Sequence, residues 1–276
     1  MDLFFRVLVE NRTDNLYLHA EHGLSLFIES KPGNILFDTG GSSLFARNAE
    51  AIGLELFGTD AIVISHGHID HGSGLRKAMT EASRAILYIH KDAVLEHLKI
   101  SDGVRKDIGI PETILGYLGR EDIAERTKWV KNEHVIWQGT SVFSCGGIQN
   151  IPRNWKFFEG DAKNLKPDRF RHEISLLVSG RHSACVVSGC CHHGFVKIIE
   201  RASRLSPRPI KYFVGGTHMG ASTDAEITEL CDYAREKEIS IYTGHCTGIE
   251  SYAKMHGLIP GLLKPLSTGL EFGISL

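Results

Sequence analysis

The sequence lacks several features that define large classes of protein. No stretch approaches the roughly 18 consecutive apolar residues of a membrane-spanning helix. The N-terminus has no basic segment followed by a long apolar run, so we expect no signal peptide. The six cysteines show no C-x-x-C spacing, which argues against a zinc ribbon. The net charge is −2, so no excess of basic residues indicates a nucleic-acid partner. These absences predict a cytoplasmic protein with free thiols and no membrane partner.

What is present is an ordinary globular composition. The chain has 276 residues, of which 42% are hydrophobic and 23% charged, and a chain of this length can bury roughly three quarters of its unfolded surface. Short apolar runs alternate with helical patterns, which predicts a layered α/β fold. We expect a single domain over residues 1–276. The charged residues 92–131 are interpreted as short helices and loops that form an insertion or lid over a site.

Individual elements are also indicated. Buried strands are predicted over residues 24–28, 34–37, 61–64 and 85–89, and a hairpin over 174–178 and 184–187. A helix is predicted from Phe195 onwards, because the apolar residues that follow it fall on one helical face. Thr223 and Glu226 have the spacing of a capping box, which predicts the start of another helix.

The strongest indication of function is the segment Ser65-His-Gly-His-Ile-Asp-His71. Three histidines and one aspartate fall within six residues, directly after a predicted buried strand. Imidazole and carboxylate are ligands suited to zinc, manganese or iron. On a tight loop, alternating side chains can reach opposite sides. His66 and His68 could therefore hold one ion, while Asp70 and His71 hold a second.

Three further predicted strands also end in candidate ligands. Because sites in α/β sheets gather beyond the carboxyl ends of strands, we expect these residues to meet at one edge. They are the run Cys190-Cys191-His192-His193 after residues 184–188, His218 after 211–214, and His245 after 240–243.

With these residues in view, the sequence resembles the metallo-β-lactamase superfamily. The stretch His66-x-His68-x-Asp70-His71 matches the signature of that superfamily. Other segments are similar to one branch, the proteins related to 7,8-dihydropterin-6-methyl-4-(ribofuranosyl)aminobenzene 5′-phosphate synthase. These segments are Phe37-Asp-Thr-Gly40, Ile151-Pro-Arg153, Ser188-Gly-Cys-Cys-His-His-Gly194, Gly215-Gly-Thr-His218 and His245-Cys-Thr-Gly248.

The resemblance implies a four-layer αββα sandwich that binds two divalent metal ions at one edge of its sheets. Zinc is the expected metal, with manganese or iron as alternatives. We expect the ions to lie less than ~4 Å apart, as in two-metal hydrolytic sites. The implied ligands are His66, His68 and His192 for the first ion, and Asp70, His71 and His245 for the second.

Two ligand choices stay open. Many members of the superfamily have a bridging aspartate where this chain has Cys190, so the bridge is either Cys190 or a water molecule. His192 matches the histidine of the branch's motif, but His193 follows it directly and is the alternative ligand.

Four residues are candidates for supporting roles. Asp38 either orients a metal-bound histidine or is a turn residue. Cys190 is either a thiolate at a helix N-terminus near the metals or an inert buried thiol. His218 either contacts substrate as an acid or base or is structural. Arg153, beside several aromatic residues, either binds a substrate phosphate or is a surface arginine.

The predicted function follows from the metal pair, which lowers the pKa of bound water toward ~7. We expect a metal-dependent hydrolase, or a transferase that releases phosphate or pyrophosphate, acting on a small anionic, phosphorylated substrate. Asp70 and His218 are the candidate catalytic residues. The alternatives are a mononuclear iron thiol oxygenase and a non-catalytic, metal-dependent ligand sensor. Oxygen-reducing members of the superfamily resemble a pattern with Glu at the position of His68, which argues against a di-iron oxidase.

Overall fold

The structure is a computed structural model that describes residues 1–160 and 164–276. Numbered along the chain, the described strands are β1 (Asp2–Val9), β2 (Ser25–Ser30), β3 (Ile35–Phe37), β4 (Ala61–Val63), β5 (Ile86–His90), β6 (His97–Ser101), β7 (Val104–Asp107), β8 (Thr127–Val130), β9 (Glu133–Trp137), β10 (Thr140–Ser144), β11 (Phe157–Glu159), β12 (Lys166–Pro167), β13 (Ile174–Ser179), β14 (Ala184–Ser188), β15 (Ile210–Gly215), β16 (Ser240–Thr243), β17 (Leu263–Pro265) and β18 (Glu271–Ser275).

The helices lie between these strands. The described α-helices are α1 (Leu44–Ala51), α2 (Ile69–Gly72), α3 (Leu75–Glu81), α4 (Glu112–Leu118), α5 (Glu121–Ala124), α6 (Phe195–Leu205), α7 (Asp224–Lys237) and α8 (Ile249–Leu258). Short 3-10 helices cover Leu56–Gly58, Lys91–Val94 and His245–Thr247. None of the described helices combines the length and the apolar character needed to cross a membrane.

Two seven-stranded sheets form the centre of the fold. Their strand orders are β18-β1-β2-β3-β4-β5-β8 and β17-β16-β15-β14-β13-β10-β9. In the first sheet, β3, β4, β5 and β8 run parallel. In the second, β14 to β17 run parallel. Parallel strands present their carboxyl ends at the same edge of a sheet, so the loops after β14, β15 and β16 leave the second sheet side by side.

The sheets pack face to face, with helices on both outer sides. Phe37 of the first sheet lies in one buried apolar cluster with Val187 of the second. On the outer face of the first sheet, Phe45 of α1 packs in the cluster of Ile62. On the outer face of the second sheet, Phe195 of α6 packs in the same buried cluster as Phe213 of β15. Burying one such side chain contributes about 1.5–3 kcal/mol. The predicted αββα sandwich is confirmed.

The predicted secondary structure agrees with the described elements at its clearest signals. The hairpin pairs β13 with β14, with Leu176 opposite Val187. α6 begins at Phe195. Before α7, the Thr223 hydroxyl accepts the backbone N–H of Glu226, and the Glu226 carboxylate accepts that of Thr223. These signals are local, so they do not depend on the packing of distant residues.

The interpretation of residues 92–131 as short helices and loops is wrong in part. β6 and β7 form an antiparallel hairpin, which joins β11 and β12 in a third sheet of order β12-β11-β6-β7. β8 pairs with β5 at the edge of the first sheet. β7 is fully exposed, so its Val-Arg-Lys-Asp sequence lacks the buried face that signals a strand.

Candidate metal centre

The His66–His71 segment follows β4 directly, and its backbone is tightly enclosed. A Cβ atom at Gly67 would lie 2.4 Å from the Ala93 carbonyl oxygen and 2.7 Å from Nε2 of His97. Only glycine fits this position without movement of its neighbours. The chain then enters α2, which carries Asp70 and His71. The histidines on both sides of Gly67 are thus held on a compact turn.

His66, His68 and His192 form the first ligand set. Each offers a ring nitrogen, and these atoms lie within 4.8 Å of one another. Nε2 of His66 is 3.0 Å from Nδ1 of His68. The pKa of each of these three imidazoles lies well below its usual value, chiefly because the ring is buried. The rings are therefore neutral, as metal-binding histidines must be.

The first set also contains polar atoms that the protein leaves unpaired. Nε2 of His68 and Nε2 of His192 are buried and have no hydrogen-bond partner in the described chain. Buried polar groups normally have a partner, because an unpaired one loses its hydration without compensation. Two such nitrogens beside His66 fit a divalent cation, which takes ring nitrogens as ligands.

Asp70, His71 and His245 form the second ligand set. Nε2 of His71 is 3.1 Å from Nε2 of His245, and Oδ2 of Asp70 lies 3.8 Å and 3.4 Å from these two atoms. Burial lowers the pKa of His71, but Asp70 and Asp38 outweigh it and raise the pKa to about 9. Burial likewise raises the pKa of Asp70, yet His71 and its other partners hold it well below its usual range. The second set therefore contains charged side chains, those of Asp70 and His71.

Asp38 makes the contact that its predicted supporting role requires. Its Oδ2 atom is 2.7 Å from Nδ1 of His71. The same carboxylate accepts hydrogen bonds from the backbone N–H and the hydroxyl of Ser65, both at 2.7 Å. Asp38 has a positive φ of 58°, a strained conformation that persists only where surrounding contacts enforce it. Nε2 of His71 is left facing the site.

Cys190 lies between the two ligand sets. Its Sγ atom is 3.3 Å from Nε2 of His71, and His66, His71 and Cys190 offer atoms within 4.8 Å of one another. The expected helix N-terminus at Cys190 is wrong, since α6 begins at Phe195. Burial and the nearby Cys246 raise the pKa of Cys190, so the metal-free protein holds it as a thiol.

His192 and His193 point to different surroundings. Nδ1 of His193 is 2.6 Å from a carboxylate oxygen of Glu173, and its Nε2 contacts the carbonyl oxygen of Gly146. Both ring nitrogens of His193 are therefore engaged within the protein. His192 instead stacks on Phe170, with ring centroids 3.9 Å apart, and its ring lies 5.0 Å from those of His66 and His68. The structure places His192 in the first set.

His218 lies beside the first set, at the end of β15. Its ring centroid is 4.3 Å from that of His192, and its buried Nδ1 has no hydrogen-bond partner among the described residues. Burial lowers the pKa of His218, but a hydrogen bond with Cys246 outweighs it and raises the pKa. His218 and His245 both have positive φ, so their backbones are held in sparsely populated conformations near the site.

A cavity of about 520 Å³ opens onto both sets. Residues that the sequence did not single out for the site line it alongside the ligands: His22, Lys99, Lys106, Phe157 and Cys246. The two lysines and Phe157 come from the third sheet, and Nζ of Lys99 lies 5.8 Å from the Phe157 ring. Arg153, the predicted substrate residue, is exposed and is not among the lining residues.

The geometry gathers the candidate ligands into two adjoining sets. The first set is neutral and has unpaired nitrogens, and the second contains a carboxylate. His66, His68, His192, Asp70, His71 and His245 could hold the ions, and Cys190 is within reach of both sets. Such a pair of cations can activate water and stabilise negative charge in a substrate.

Comparisons with known proteins agree with this picture. The Metallo-beta-lactamase superfamily matches residues 20–189. The chain is 26% identical over 251 residues to the 7,8-dihydropterin-6-methyl-4-(beta-D-ribofuranosyl)-aminobenzene-5′-phosphate synthase of Methanocaldococcus jannaschii, covering 84% of this chain and 83% of the relative. It is 29% identical over 260 residues to an uncharacterised protein of the same organism, covering 92% and 94%.

A solved structure described as a metal-dependent hydrolase of the beta-lactamase superfamily aligns with 99% of this chain and 100% of its own, at a TM-score of 0.83 and 24% identity. A diphosphatase of the PhnP family aligns with 100% and 98%, at a TM-score of 0.56 and 14% identity. At these identities, both likenesses show the fold alone.

Proposed function

This chain belongs to the metallo-beta-lactamase superfamily, and we propose that it is a metal-dependent hydrolase acting on a small phosphorylated substrate through an activated water molecule. One observation carries the proposal. The buried Nε2 atoms of His68 and His192 have no partner among the described residues, although they lie beside a third neutral imidazole, that of His66. A divalent cation would satisfy them.

The residues of the chain have distinct roles in this proposal. Bound divalent ions would supply an activated water and polarise a phosphoryl oxygen. Asp38 holds Nδ1 of His71 and so aims Nε2 into the site. Asp70 supplies the negative charge of the second set and orients His245. His218 lines the cavity, where its imidazole can donate a proton to a leaving group.

The charge of the site supports an anionic substrate. The charge of two divalent ions would exceed the single negative charge of Asp70 among the six ligands, so the occupied site stays positive. Lys99 and Lys106 add cationic groups to the cavity wall. A phosphate ester or phosphoanhydride, which develops further negative charge during reaction, fits this environment better than a neutral lactam does.

A second candidate is a transferase that releases phosphate or pyrophosphate. It is favoured by the similarity to the aminobenzene-5′-phosphate synthase over 84% of this chain, and Phe157 in the cavity wall could stack on an aromatic substrate.

We propose zinc as the metal, with manganese as the alternative, and the cytoplasm as the location. The six cysteines are all unpaired, which supports a reducing compartment.

Turnover assays on protein of known metal content test the proposal. Metal-free protein loaded with zinc or manganese should hydrolyse bis(p-nitrophenyl) phosphate or a phosphoanhydride far faster than the lactam nitrocefin. Faster cleavage of nitrocefin would contradict it. Iron content with thiol-dependent oxygen consumption would favour a thiol oxygenase, and ligand binding without turnover of any compound would favour a sensor.

The anionic substrate can be tested at the cavity wall. Lys99→Met should raise KM by about 10-fold with little effect on kcat, because a charged hydrogen bond is worth about 1.5–3 kcal/mol. Arg153→Met is the matched comparison, since Arg153 is exposed and lies outside the lining. If only Arg153→Met raises KM, the cavity is not the substrate site and the prediction from sequence for Arg153 holds.

A further inference from the structure

One short segment contacts both loops that carry the first ligand set. Nδ1 of His172 accepts the backbone N–H of Gly67 at 2.9 Å, between His66 and His68. The Glu173 carboxylate, on the next residue, accepts the backbone N–H of His192 at 2.7 Å. Loops more than 100 residues apart in sequence are thus tied together through two consecutive side chains.

The hydrogen bonds determine where the protons lie in this segment. Because Gly67 donates to Nδ1 of His172, the ring proton is on Nε2, which donates to Oδ2 of Asp168 at 3.0 Å. Nδ1 of His97 is also 3.0 Å from that oxygen, and its Nε2 is 3.1 Å from the carbonyl oxygen of Asp92. A carboxylate only accepts, so Nδ1 of His97 donates to Asp168. Asp168 is the common acceptor of the two rings.

This network is buried, and both carboxylate oxygens of Asp168 accept hydrogen bonds. His97, Asp168 and His172 are each about 0% exposed, and the other carboxylate oxygen of Asp168 accepts the backbone N–H of Phe170 at 2.6 Å. The ring of His172 lies 6.1 Å from that of His66 and 5.9 Å from that of His68. Loss of one acceptor would leave buried donors unpaired, which costs more than the hydrogen bond itself contributes.

The same network reaches the cavity wall. His97 is the first residue of β6, and Lys99, two residues further on, lines the cavity. The carbonyl oxygen of His97 accepts the backbone N–H of Ile108 at 2.9 Å, and the carbonyl of Ile108 accepts that of Ile69 at 2.8 Å. Asp168 therefore lies between the ligand turn and the hairpin that carries the lining lysines.

We propose that Asp168 is a positioning residue: through His172 it holds Gly67 of the ligand turn, and through His97 it holds the base of the β6–β7 hairpin. The metal affinity of the first set then depends on a carboxylate that touches neither metal nor substrate. The inference rests on the proposed function only in requiring that the first set binds a divalent cation. Partners that hydrogen-bond a metal ligand directly typically contribute 10–100-fold in metal affinity. Asp168 acts one contact further out, so we expect the lower end of that range, about 10-fold.

The experiment compares zinc binding by metal-free variants, measured by competition with a chromophoric chelator. Asp168→Asn should weaken one of two zinc equivalents by about 10-fold and leave the other unchanged. Asn48→Leu is the control, because Asn48 is also a buried polar residue, at 2% exposure, but its amide donates to the carbonyl oxygens of Leu8 and His19, away from the Asp168 network. Equal weakening of zinc binding in both variants would show general destabilisation and overturn the proposal.

A second pair of variants keeps the test decisive if Asp168→Asn does not fold. His172→Phe removes the acceptor of the Gly67 N–H and should weaken the same zinc equivalent, whereas His172→Asn retains an acceptor oxygen and should recover part of the affinity. Equal affinities in these two variants would overturn the proposal. Two zinc equivalents in the wild type, unchanged by Asp168→Asn, would overturn this inference alone. A wild-type protein that binds neither zinc nor manganese would instead overturn the proposed function.

Discussion

The two ligand sets contain similar residues but differ in charge. The first consists of three imidazoles whose pKa values are lowered, chiefly by burial. In the second, His71 has its pKa raised to about 9 and faces the ionised Asp70. Without metal, the proton of His71 balances the carboxylates of the second set, and the first set has unpaired nitrogens instead.

This difference teaches how the two positions respond to a metal ion. In the proposed two-metal site, the first set is already in the protonation state that binds a metal ion, so its affinity should depend on the placement of its rings. The second set must release the His71 proton before Nε2 can act as a ligand. Affinity at the first position should depend on the supporting hydrogen bonds, and affinity at the second should depend on pH.

The largest expected effect comes from removing one ligand of either set. His68→Ala and Asp70→Ala should each abolish turnover, because a lost metal position forfeits several kcal/mol of charge stabilisation, on the order of 10³-fold in rate. Metal analysis should find one metal equivalent in each variant. In His68→Ala it is bound by the second set, and in Asp70→Ala by the first. His182→Ala is the control, since His182 is exposed in the β13–β14 turn. Retained activity of His68→Ala in metal-replete buffer would refute the two-metal mechanism.

An intermediate effect is expected at Cys190, which adjoins both sets. Cys190→Ser should weaken the second metal, because a thiolate is a strong zinc ligand, and bound metal should protect Cys190 from alkylating reagents. Cys185→Ser is the matched control, as Cys185 is also a buried cysteine but lies in β14 and packs in the core between the sheets. Equal alkylation rates with and without metal would mean that a water molecule bridges instead.

The smallest expected effect is the pH dependence of the second set. The folded-state pKa of His71, about 9, exceeds the ordinary 6.5, so its stabilising contribution is complete below about pH 6.5 and is lost as pH rises through 9. The titratable groups facing it are Asp38, Asp70, His66, His245 and Cys190. The Tm of metal-free protein should fall by a few °C between pH 7 and 9.5, at about 2–4 °C per kcal/mol.

Two comparisons sharpen that measurement. His71→Gln has no imidazole to titrate, so its Tm should decline less steeply over the same range. Added zinc should raise the Tm of the wild type by more at pH 9 than at pH 7, because the competing proton has been lost. A zinc-induced increase that is equal at both pH values would show that His71 holds no proton in the metal-free protein.

The residue pattern alone predicted a layered α/β fold and the composition of the ligand turn, and the motif resemblance implied the αββα sandwich. His66, His68, Asp70 and His71 fall within six residues, so their proximity follows from chain connectivity. The capping box of α7 and the apolar face of α6 were predicted correctly because helix signals are also local and depend on residues three or four apart. The ends of the predicted strands indicated the distant candidates His192, His193, His218 and His245, and the motif resemblance assigned His192 and His245 to the two ions.

Only the tertiary structure decided which residues support and surround those ligands. Asp168 and His97 are 71 residues apart, and no local pattern links them. The side chain of His193 bonds Glu173 and Gly146, whereas that of His192 lies beside His66 and His68, and adjacent positions in the sequence do not reveal this difference. The exposed strand β7 has no apolar alternation, so the sequence did not predict its pairing with β6. Long-range hydrogen bonds and strand pairing depend on the three-dimensional arrangement of whole elements, which residue spacing along the chain does not record.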